Sequence, residues 1–61
     1  MAERLIDVAA RRARNAFYRR SKVKVAGWSQ ADEGSRVMWR QVVHDVAETL
    51  QVPLDTLERD A

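Results

Sequence analysis

Few side chains in this chain are of the types that do chemistry, and their spacing argues against a reactive site. His44 is the sole histidine, with Asp45 beside it and Glu48 four residues on. Adjacent residues on a helix point in different directions, so Asp45 is poorly placed to orient the imidazole. Glu48, at i+4, can pair with it on a solvent face. That pattern reads as an ordinary surface histidine, not a general base. Ser21, Ser29 and Ser35 lie in no nucleophile-elbow context. Gly27 and Gly34, the two glycines, have neither P-loop nor dinucleotide-binding spacing. No acidic cluster follows calcium-loop spacing. The absence of cysteine excludes disulfides and thiolate metal sites, and one histidine does not build an imidazole site. The expectation is a protein with no catalytic residues, no cofactor and no metal.

The arginines carry more promise. Arg4, Arg11, Arg14 and Arg19 run along one side of the N-terminal segment, and Arg20, Lys22 and Lys24 extend the charge beyond it. Residues 1–24 hold eight Lys/Arg against two Asp/Glu, a balance of +6, while residues 25–61 hold three against seven, a balance of −4. Such a split suggests a contact between the halves or a basic surface for an anionic partner. The basic face could track phosphates along a nucleic acid. It could equally grip an acidic protein, a second copy of the chain, or only solvent. No helix-turn-helix spacing is present, and the second half is acidic outside, so nucleic acid is the less favoured partner.

These side chains need helices to position them. From Ala2 to about Arg20 the chain has neither glycine nor proline and is rich in Ala, Arg, Leu and Glu, all good helix formers. At roughly 100° per residue, Leu5, Ile6, Ala9, Ala13, Ala16 and Phe17 gather on one face, with Arg4, Arg11, Arg12, Arg14 and Arg19 opposite. This predicts an amphipathic helix over about 2–20. Residues 21–31 then form a connection, with Gly27 as its turn residue.

Asp32 is a good N-cap for a second helix and places Glu33 in the first turn, where the helix dipole favours an anion. Trp28–Ala31 is then a preceding turn. Over about 33–50, Trp39, Val42, Val43, Val46 and Leu50 form one stripe flanked by Met38 and Ala47. Arg40, Gln41, His44, Asp45 and Glu48 face away. Arg36 is i+3 from Glu33 and i+4 from Asp32, so a local ion pair is expected. Pro53 ends the helix. The C-terminal segment 53–60 adds a helical turn whose Leu54 and Leu57 fold back on the hairpin.

The two tryptophans divide the work. Trp39 is expected in the core against Phe17 and Ala13. Trp28 is expected as a lid near Trp39 or Phe17, or as an anchor for a partner, a common role for tryptophan.

The whole is an all-α helical hairpin of two amphipathic helices with a short C-terminal turn or helix, one domain spanning 1–61. A chain of 61 residues buries only roughly 60% of its unfolded surface, and small domains need a staple. Without disulfides or metal, a homodimer that pools two hairpins into a bundle is the favoured way to cover the apolar stripes. No apolar run reaches membrane-span length, and there is no signal-peptide pattern. The alanine-rich apolar face lacks the bulky anchors of membrane-surface helices. A cytoplasmic protein with no membrane partner is expected.

The arrangement Phe17-Tyr18, Trp28, Ala31, Arg36, Trp39 resembles small bacteriophage and prophage proteins. In these an aromatic ends a first helix and W-x-x-L-x-x-x-x-R-x-x-W opens a second. Ala31 stands where the pattern has leucine. The resemblance covers residues 13–47. It implies a small accessory protein made inside an infected bacterium and acting on a host component, a protein-interaction module and not an enzyme.

Overall fold

In the computed structural model, which describes residues 3–60, the chain is all-α. Helix α1 spans Leu5–Ser21, α2 spans Glu33–Thr49 and α3 is the short turn Leu54–Leu57, with a 3₁₀ turn at Trp28–Gln30 before α2. The two long helices pack as a hairpin and α3 folds onto both.

Helix α1 begins later than its composition predicts. Ala2 lies outside the described residues, and Arg4 is extended at φ −72°, ψ 152°. The reason is a backbone contact with the other end of the chain. Arg4 forms an antiparallel bridge with Asp60, and the Leu5 N–H donates to the Arg59 carbonyl at 2.7 Å. A helix start leaves N–H groups without partners, and here the C-terminal segment accepts one in place of a side-chain cap.

Both long helices end through a non-glycine residue in the left-handed region. At the end of α1, Lys22 (φ 56°) donates to Arg19 O and Val23 to Tyr18 O. At the end of α2, Gln51 (φ 61°) donates to Glu48 O and Val52 to Ala47 O. These are Schellman closures, usually built on glycine. Gly27, expected as the turn residue, is instead extended at φ −64°, ψ 168°. The chain reverses at Lys22, so the connection needs no positive φ at Gly27. The start of α2 is as expected: Asp32 caps it by accepting from the Ser35 N–H at 2.7 Å.

The core is narrow. Ile6, Ala10, Trp39, Ala47 and Leu57 are its buried apolar side chains. Ile6, Ala47 and Leu57 meet at one end, with Val43 and Val52 packed against them. At the other end Trp39 packs with Phe17 (centroids 5.6 Å apart) and Tyr18 (6.4 Å). Trp28 stands outside this cluster and is half-buried in the 3₁₀ turn. Tyr18, from α1, takes the place beside Trp39 that the sequence suggested for Trp28.

The buried rows are also turned relative to expectation. On α1 the buried row is Ile6, Ala10 and Arg14, so the helix is rotated away from Ala9, Ala13 and Ala16, which are half-buried. On α2 it is Trp39 and Ala47 with half-buried Val43 between them. Arg40, expected to face solvent, is half-buried and reaches across the hairpin. Its Nε donates to Asp7 Oδ1 at 2.6 Å and its Nη1 to Glu33 at 3.2 Å. The Asp7 bond raises the Arg40 pKa above its ordinary value; partial burial lowers it, and Glu33 raises it again. A cation whose folded pKa is raised stabilises the fold at every pH below its unfolded value. Its contribution is lost only as pH climbs through the folded value, in strong alkali. Arg36 pairs with Glu33 at 3.3 Å, the expected i,i+3 contact.

Leu57 is 5% exposed and Leu54 53%, so the expected pair of C-terminal anchors is a single one. Leu57→Ala is expected to cost about 2–5 kcal/mol, as buried leucines do. Leu54→Ala is expected to stay within about 0.5 kcal/mol. Urea unfolding of both variants checks this, and equal losses would contradict the placement of α3.

Candidate functional site

Turning the buried rows inward leaves apolar residues on the other side of each helix without cover. Between α1 and α2 an open groove of about 300 Å³ is lined by Ala9 and Ala13 on one wall and Val42, Val43, Val46, Ala47 and Leu50 on the other, with Val52 and Leu57 at one end. The lining is almost entirely apolar. Val46 is 51% exposed and Leu50 68%. Phe17 and Met38 are likewise half in water. The valine stripe seen in the sequence is thus divided. Val43 and Ala47 enter the hairpin, and Val42, Val46 and Leu50 border the groove.

Helical spacing sets a few charged residues near the groove. On α1, Arg12 lies three residues after Ala9 and Arg20 seven after Ala13. On α2, Asp45 lies three after Val42, whereas Glu48 faces away with Gln41, His44 and Gln51. Among the described residues none of these four charged side chains makes an ion pair within the chain. The Asp45 carboxylate accepts from the Gln41 amide at 3.1 Å.

The basic face predicted from the sequence does not survive as one surface. Arg4 pairs with Glu58 at 3.0 Å and lies 3.7 Å from Asp7. Arg11 holds both oxygens of Glu3, at 2.9 and 3.0 Å. Arg14 is 5% exposed. It donates from Nη2 to the Ala26 carbonyl at 2.9 Å, and its guanidinium lies over the Tyr18 ring, 5.2 Å from the centroid. Its position in the buried row follows from the alanines around it. A helix face of small side chains leaves a gap that the long arginine stem fills. Arg19, Arg20, Lys22 and Lys24 remain exposed at one end of the hairpin. Among the described residues they form no ion pair.

No family model, curated protein or solved structure matches the chain. The site is therefore read from its own geometry. His44 is half-buried in a shallow concavity with Gln41, Asp45, Glu48 and residues 51–54. Among the described residues no three His, Cys, Asp or Glu side chains are grouped as metal ligands would be. None of the helices of the described residues is long and apolar enough to cross a membrane.

Arg14 and Arg19 are both arginines of α1 with opposite surroundings. Arg14→Ala removes a packed stem and the bond to Ala26, with an expected cost of about 2 kcal/mol. Arg19→Ala is expected to change stability by less than about 0.5 kcal/mol. Thermal unfolding followed by circular dichroism measures the difference. Equal effects would contradict the burial of Arg14.

Proposed function

We propose that this chain is a small non-enzymatic interaction protein that works as a two-fold dimer, with a second copy covering the apolar groove. The observation that carries the reading is the groove itself: exposed valine and leucine side chains continuous with the core of the hairpin. Contiguous apolar surface of this kind marks interaction sites. Charge supports a second copy as the occupant. In a four-helix arrangement with the two-fold axis along the helices, α1 of one copy lies beside α2 of the other. Arg12, beside Ala9 on α1, is then within reach of Asp45 of the second copy, beside Val42 on α2, so opposite charges face each other.

The resemblance around Trp28, Arg36 and Trp39 supports reading such a dimer as a phage-encoded accessory protein that acts on a host protein in the bacterial cytoplasm. In this reading Trp28, half-buried beside the 3₁₀ turn, is the candidate anchor for that host partner. Binding of nucleic acid along α1 is the weaker reading. Arg4 and Arg11 have carboxylate partners and Arg14 is turned inward, so the seven cations do not form one continuous face along α1.

The test is molar mass in solution at micromolar concentration. The wild-type chain is expected at twice 7.0 kDa. Val46→Glu puts a charge in the middle of the groove at an exposed position, where folding costs stay within about 0.5 kcal/mol. It is expected to give a folded monomer. A monomeric wild type, or a folded Val46→Glu dimer, would overturn the proposal.

A further inference from the structure

The Arg14 guanidinium is a cation withdrawn from water with only neutral partners. One hydrogen bond goes to the Ala26 carbonyl, the Tyr18 ring lies beneath, and Nε has no acceptor. Among the described residues no carboxylate lies within ion-pair distance of it. A carbonyl and a ring face attract a cation less strongly than an anionic oxygen does. A charge taken out of water is best compensated by an opposite charge. Arg14 also lines an open concavity of about 460 Å³ between the second half of α1 and the connection. The charged residues around it are Arg14, Arg19 and Lys24, with no Asp or Glu. Asn15 and Tyr18 add neutral polar groups. Cations sharing one concavity reinforce each other's field.

We infer that this concavity binds one phosphate group, with Arg14 as the fixed cation at its base and Arg19 and Lys24 closing from the rim. The planar guanidinium suits phosphate oxygens. Its bond to Ala26 and its seat on Tyr18 hold it in place beforehand, which reduces the ordering cost of binding. Arg19 and Lys24 are exposed and are able to reach inward. Inorganic phosphate, a phosphomonoester and a nucleic-acid backbone all present this chemistry. The concavity takes Asn15, Tyr18 and Arg19 from α1, whereas the groove takes Ala9 and Ala13. A second copy in the groove therefore leaves it open.

The experiment is ¹H–¹⁵N NMR of the full chain, titrated at constant ionic strength with inorganic phosphate, with chloride as control, and with a short single-stranded oligonucleotide. Saturable shifts are expected at the Arg14 Nε–H and at the amides from Lys24 to Gly27. Lys24→Gln and Arg19→Gln, both at exposed positions, are expected to keep the fold and weaken phosphate binding on the order of tenfold each. Arg12→Gln, on the groove side, is expected to leave it unchanged. Tighter binding of the oligonucleotide through the same residues would assign the site to nucleic acid. Equal or tighter binding of phosphate would assign it to a small phosphate compound. The inference is overturned if the folded protein gives no saturable shift with either probe. It is also overturned if the shifts fall equally on Arg12, Arg20 and Arg59.

Discussion

Two helices packed side by side can each bury only one row of side chains, and the rest of this structure answers to that limit. The rows are Ile6, Ala10 and Arg14 on α1 and Trp39, Val43 and Ala47 on α2. Two of these six are alanines and one is an arginine. Such a seam contributes little transfer free energy at about 25 cal/mol per Å². The chain adds closures at its margins. Leu57 seals one end against Ile6 and Ala47. The Arg4–Asp60 bridge ties the C-terminal segment to the start of α1. Asp7 and Arg40 link the helices on one flank. Among the described residues the other flank has no such ion pair, and there the groove opens.

What the sequence made legible was local or periodic. Asp32 followed by Glu33 marked the start of α2, Pro53 its end, and the spacing of Glu33 and Arg36 their ion pair. Trp39 and Phe17 lay on apolar stripes and do meet. What escaped depended on which way each helix turned. A stripe wider than one row tells that a face is apolar, not which of its edges points inward. The rotation of α1 by about one residue brought Arg14 in and turned Ala9, Ala13 and Ala16 toward the margin. Residue type alone argued the other way, since arginine is seldom buried unless paired. The Asp7–Arg40 pair joins residues 33 apart, beyond any local spacing rule. The left-handed closures at Lys22 and Gln51 fall on residues with no intrinsic preference for that conformation, so no turn signal announced them.

The same rotation sorts the charges. The sequence offered one basic face of seven residues; the fold separates it by partner. Arg4 and Arg11 are occupied by carboxylates near the N-terminus. Arg14 goes inward. Arg19, Arg20, Lys22 and Lys24 collect where α1 gives way to the connection. Helix α1 therefore presents an apolar wall to one side and a cationic concavity to the other. Of these features the groove has the larger energetic consequence, because uncovered apolar surface is unfavourable in a domain with so small a core.

If a second copy covers the groove, folding and association are linked, and stability must depend on protein concentration. The most direct measurement is the urea midpoint of unfolding over a wide concentration range. The account predicts that the midpoint rises with concentration, by about 1.4 kcal/mol of apparent stability for each tenfold increase. A midpoint that does not move over the range would mean that the hairpin folds alone with its groove in water, and would contradict the account.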